Sequence, residues 1–132
     1  MLAILTALAM LTGQVGTVAV SGTSTWYCGN GSPCTAGYGP GDAVAAIDPS
    51  LGIPKGTIVT VTGDAGSRRV RIVDVCACGG ARIIDLTSGM FRAIVGPLSR
   101  GVGTVTIEYG GEAPTLPPTD LEYWSWPNGG PR

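Results

Sequence analysis

The chain has 132 residues, enough for one domain around a single core. Charged residues are only 13% and the net charge is −1, so a polyanion-binding surface has no support and no nucleic acid is expected as a partner. There is no His and there are 22 Gly, which excludes Ser-His-Asp and Cys-His sites and favours a compact β fold with tight turns over a helical bundle.

Residues 1–12 are nearly all apolar and lack the Lys or Arg of an ordinary export signal. The run is shorter than the roughly 20 residues a membrane span needs. Three readings stand for residues 1–21: an atypical signal with Val18-Ala19-Val20 before its cleavage site, a membrane-touching anchor, or a docking helix rich in Leu, Ala and Met. From Gly22 onward the pattern is β. Ser24-Thr25-Trp26-Tyr27 reads as a short strand, followed by a Gly/Asn/Ser/Pro/Cys loop to Pro40. Residues 43–47 form a short apolar strand that stops at the turn signal Asp48-Pro49. Thr57-Ile58-Val59-Thr60-Val61-Thr62 is β-branched throughout, and Gly63-Asp64-Ala65-Gly66-Ser67 turns it into an antiparallel partner over residues 68–75. Residues 81–86 give a further strand. Residues 87–95 predict a short helix with Thr87 as N-cap, and residues 103–109 a closing strand. Six short strands and one helix, without strand–helix alternation, predict a small closed barrel over residues 22–109. Residues 110–132 form a Pro-rich arm carrying Trp124 and Trp126. Residues 1–20 and 114–127 are apolar enough to predict contact with a protein assembly or a membrane.

Four cysteines in a short chain point to an oxidising compartment. One intervening residue disfavours a bridge between Cys76 and Cys78, so two bridges are expected between the 28–34 and 76–78 segments: Cys28–Cys78 with Cys34–Cys76, or the swapped pairing. A four-thiolate zinc site is the alternative, although C-x5-C with C-x-C is not a familiar zinc spacing. Neither a metal nor a cofactor is otherwise implied.

With His absent, any catalysis falls to carboxylates. Asp74 follows Arg71-Ile72-Val73 and Asp85 follows Arg82-Ile83-Ile84, so each ends an apolar strand-like run that would partly desolvate it. A raised pKa suits such a group to acid chemistry.

Five pieces then occur in order: Gly22-Thr23-Ser24-Thr25-Trp26-Tyr27, Ala45-Ala46-Ile47-Asp48-Pro49, Pro54-Lys55-Gly56-Thr57, Val70-Arg71-Ile72-Val73-Asp74 and Arg82-Ile83-Ile84-Asp85-Leu86-Thr87. Together they resemble the double-psi β-barrel domains of RlpA-like proteins, with expansins and barwin-like proteins as more distant relatives. The resemblance implies a six-stranded barrel with a glycan groove, in an extracellular, periplasmic or cell-envelope protein. RlpA-like members include lytic transglycosylases of peptidoglycan, whereas expansins loosen wall polysaccharides without hydrolysis. Residue by residue, it implies Asp85 as general acid, Asp74 as a second groove carboxylate and Thr25 as a groove hydroxyl. Cys76 falls where expansin-like members often carry Tyr. Asp42 is the nearest carboxylate to the early Glu of active RlpA-like enzymes, and Cys28 stands where endoglucanase relatives have a base Asp. An inverting pair is thus lacking, while transglycosylation through one carboxylate survives: Asp85 as donor, with Asp74 raising its pKa by like charge. Trp26 and Tyr27 alternate on their strand, so one is expected in the core and the other in the groove. Tyr38, in a Gly-rich loop, would rim it. The predicted function is binding and cleavage of a cell-wall glycan. A non-catalytic expansin-like module and a structural subunit of an extracellular or virion assembly are the alternatives.

Overall fold

The computed structural model describes residues 16–110. Among them, strand β1 covers Thr17–Tyr27, β2 Val44–Ile47, β3 Ile58–Thr62, β4 Ser67–Val75, β5 Arg82–Thr87 and β6 Gly103–Gly110, with helix α1 at Ser88–Ile94. The expected contacts of the two chain ends lie outside the described residues, apart from residues 17–20, which belong to β1. That strand begins at Thr17, ahead of the expected start at Gly22. Val18 and Val20 pair with Tyr109 and Ile107 of β6, so these β-branched residues serve the sheet.

The strands close into a barrel in the order β1-β5-β2-β4-β3-β6. β1–β5 and β2–β4 are parallel, and the other neighbours are antiparallel. β3 and β4 pair as predicted, from Ile58 opposite Arg71 to Thr62 opposite Ser67. A hydrogen bond of 2.9 Å from Gly63 N to Gly66 O closes the turn between them. Gly22 is required by a close approach: a Cβ there would stand 2.6 Å from the Ala81 carbonyl oxygen and 2.8 Å from Ile83 Cγ2.

The core fills the barrel with Ala45, Ile47, Val59, Val61, Val70, Ile72, Ile84, Leu86, Val105 and Ile107, and α1 adds Met90, Phe91 and Ile94. Thr87 holds the N-cap position of α1, but its hydroxyl donates to the Asp42 carbonyl at 2.8 Å and makes no cap bond. Phe91 leads the fully buried side chains in volume. Phe91→Ala is expected to cost about 3–5 kcal/mol, a large part of ordinary domain stability, read as a lower midpoint in urea unfolding.

The expected cystine pattern is overturned. Cys28 is bonded to Cys34, and Cys76 to Cys78. The Cα–Cα separations are 4.8 and 5.1 Å, both within the bonding range. An extended backbone would hold residues i and i+2 roughly 6.6 Å apart. Here the chain leaves β4 at Val75 and bends, which brings Cys76 and Cys78 together. With all four sulfurs in bridges, the four-thiolate zinc alternative falls. Each bridge closes a short loop, so it constrains the unfolded chain less than a cross-barrel link would.

Candidate functional site

Strand register builds one row across four strands. Thr25 on β1 lies opposite Asp85 on β5, Asp85 lies opposite Ala46 on β2, and Ala46 lies opposite Asp74 on β4. Asp85 and Asp74 thus stand two strands apart, roughly 9–10 Å between backbones. Ala46 lies between them. Its neighbours Ala45 and Ile47 belong to the core cluster, so strand alternation turns the Ala46 methyl to the outer face.

Two register shifts aim these groups. Ala45 pairs with Ile72 but Ala46 pairs with Asp74, so Val73 is the extra residue of a bulge in β4. Strict alternation from buried Ile72 would send Asp74 into the core. The bulge turns it outward. In the same way Thr23 pairs with Arg82 but Ser24 pairs with Ile84, so Ile83 is extra in β5. This lets Ile83 and Ile84 both be buried while Arg82 and Asp85 share the outer side.

The Asp85 side chain is 16% exposed, with Oδ2 at 3.6 Å from Arg82 Nη2. Thr25 donates to its Oδ1 at 3.0 Å. Burial raises the Asp85 pKa above the ordinary carboxyl value of 3.8, while the Thr25 hydroxyl and the Arg82 guanidinium pull it down. The expected like-charge effect of Asp74 is not among the causes: desolvation carries the rise. Asp74 Oδ1 accepts from the Val75 amide at 2.9 Å, and its Oδ2 accepts from the Thr35 hydroxyl at 3.1 Å. The Tyr27 phenol lies 3.0 Å from that same hydroxyl. Burial raises the Tyr27 pKa, and the nearby charges of Asp85, Asp74 and Tyr38 add to the rise.

The predicted residues divide. Thr25, Tyr27, Asp74 and Asp85 come together on one face. Tyr38 is half-buried and close enough to act on Tyr27, and its amide donates to Thr35 O at 3.0 Å. Trp26 takes the other side of β1: it packs against the core and its Nε1 donates to Leu98 O at 3.1 Å, so its expected role in glycan contact is replaced by an anchoring one. Asp42 is buried, and its Oδ2 accepts from the Gly39 amide at 2.8 Å, which makes it a staple of the Gly-rich loop. Sequence reasoning missed Thr35, a loop residue without a motif. It also missed Arg82 as partner of Asp85, because i and i+3 face opposite sides of a regular strand and only the bulge at Ile83 brings them to one side.

A closed six-stranded barrel with this order of parallel and antiparallel pairs is of the double-psi β-barrel class. Residues 19–109 match the lytic transglycolase family, and the chain belongs to that family. The chain is similar to the expansin of Clavibacter michiganensis, seen both in complex with cellohexaose and without ligand, at 25% identity and a TM-score of 0.57. The alignment covers 76% of this chain and 54% of the expansin, so this chain spans about half of that protein's length. A Streptomyces papain inhibitor shares the fold at 24% identity and a TM-score of 0.51, over 74% of this chain and 96% of that one. No curated protein matches the chain.

Proposed function

We propose that this barrel binds a cell-wall glycan of the peptidoglycan type across the Thr25–Asp85–Ala46–Asp74 row and cleaves it as a lytic transglycosylase. The observation that carries this reading is Asp85, a partly buried carboxyl of raised pKa, oriented by Thr25 on a face shared with a second aspartate. Protonated Asp85 donates to the glycosidic oxygen as the bond to the anomeric carbon breaks. The Asp74 carboxyl, across the row, favours the positive charge that develops on the sugar. The sugar's own hydroxyl then attacks the anomeric carbon and returns its proton to Asp85, so an anhydro sugar forms and no water is consumed. One acid/base carboxylate suffices for this cycle, which agrees with the disulfide-bonded Cys28 at the place of a second base in hydrolytic relatives.

Both disulfides support an extracellular or cell-envelope setting. A second reading, expansin-like binding without turnover, is favoured by the similarity to an expansin seen with cellohexaose. Incubation with purified peptidoglycan and mass analysis of the soluble fraction separates the two. Anhydro-sugar products are expected. Retention on the glycan without any new product would overturn cleavage and leave the binding module.

A further inference from the structure

Thr35 lies just past the bridge between Cys28 and Cys34. The loop that carries it is tightly tied. Cys28 adopts a left-handed backbone at φ 52°, its amide donates to Ser32 Oγ at 2.9 Å, and Ser32 donates in turn to Asn30 Oδ1 at 3.1 Å. The far end of the loop is held by the Tyr38 amide on Thr35 O. A hydroxyl has one hydrogen to give. Thr35 gives its hydrogen to Asp74 Oδ2, at 3.1 Å. The 3.0 Å contact between Thr35 and Tyr27 therefore runs the other way, with the phenol donating to Thr35 Oγ1. The hydrogens align in one direction, from Tyr27 through Thr35 to Asp74.

We propose that Thr35 is a positioning residue: held by the bridged loop, it locks Tyr27 and Asp74 into one unit, so that the phenol oxygen meets a bound glycan as a hydrogen-bond acceptor. A phenol whose hydrogen is committed inward offers only lone pairs outward. Such a surface selects sugar hydroxyls that donate. Asp74, with one oxygen held by Thr35 and the other by the Val75 amide, keeps a fixed orientation beside Ala46. The consequence for turnover rests on the function proposed above, while the directed unit itself does not.

The test uses the full chain with Thr35→Val and Thr35→Ser. Val keeps the shape and removes the hydroxyl, and Ser restores it. Tyr27 ionisation is followed by ultraviolet absorbance, with Tyr27→Phe subtracted to isolate it from the other tyrosines. Because the phenol donates to Thr35 Oγ1 and Thr35 has no hydrogen left to give a phenolate, the bond favours the protonated phenol. The Tyr27 transition is therefore expected to move to lower pH in Thr35→Val and to return in Thr35→Ser, whereas a move to higher pH would mean that Thr35 donates to Tyr27 and would overturn the proposal. Cleavage of peptidoglycan is expected to fall on the order of tenfold in Val, the effect of one charge-assisted hydrogen bond, and to recover to within about twofold in Ser. An unmoved Tyr27 transition in a folded Thr35→Val would overturn the proposal, as would a shift that Ser fails to reverse. If the transition behaves as expected but the wild type releases no anhydro sugar, the positioning unit stands and the cleavage reading alone fails.

Discussion

Asp85→Asn is expected to lower cleavage by about 10²–10⁴-fold, the ordinary contribution of a general acid, while the barrel stays folded. The amide keeps an oxygen for the Thr25 hydroxyl but has no proton of the right acidity to give. The same substitution has a stability signature of opposite sign. Burial raises the folded-state pKa of Asp85 above 3.8. Between its unfolded and folded values the native state binds more protons than the unfolded chain. Stability is therefore lost as pH rises through that window, and at neutral pH the native state holds a disfavoured charge. Replacing the charge with a neutral amide removes that penalty, although it also gives up the Arg82 contact at 3.6 Å. Asp85→Asn is thus expected to gain in thermal midpoint over the wild type as pH rises from about 3 to 7. Catalytic rate in the wild type should decline over the upper part of the same window, as the acid form empties. Full activity in Asp85→Asn, read as anhydro-sugar release, would remove the general-acid role.

Ala46→Leu is expected to reduce cleavage by at least about 100-fold, since displacing bound substrate by about an ångström has that effect. Ala46 is the residue between Asp85 and Asp74 in the row, and it is buried, with 6% of its surface exposed. A leucine adds three further carbons on the face proposed to carry the glycan. The backbone pairing of β2 with both neighbours does not depend on the side chain, so the thermal cost should be limited to the roughly 1–3 kcal/mol of local overpacking. Ala46→Gly removes the methyl instead and should retain most of the cleavage. Measurement of kcat and KM for both variants, beside thermal melts, distinguishes a blocked groove from a damaged fold. Unchanged kinetics in Ala46→Leu would mean that the glycan does not cross the row.

Much of this site was legible in the chain. A strand with a buried face and an exposed face places alternate residues together, so Thr25 and Tyr27 fall on one side of β1 and Trp26 on the other. The sequence marked both Trp26 and Tyr27 as glycan candidates, because alternation separates two faces without saying which one is inside. The Nε1 bond to Leu98 O decides that Trp26 is the inner one. Asp42 looked equally available and is instead spent on the Gly39 amide, a local bond with no pattern that distinguishes it from a groove carboxylate.

The sequence by itself determined the class of fold: β-branched runs punctuated by glycine turns specify strands through local sterics, and the alternation of Val59, Val61, Val70 and Ile72 specifies which face is buried. It also determined which residue types are available for chemistry, since a chain without His leaves that work to carboxylates. Only the tertiary structure decided where they point and what they touch. The bulges at Val73 and Ile83 arise from parallel pairing between strands distant in sequence, and each reverses the side-chain alternation beyond it, which brings Asp74 out of the core and sets Arg82 beside Asp85. The bridges were misread for a related reason. Spacing along the chain limits which cysteines can meet, but the bend after Val75 that joins Cys76 to Cys78 follows from where the barrel ends.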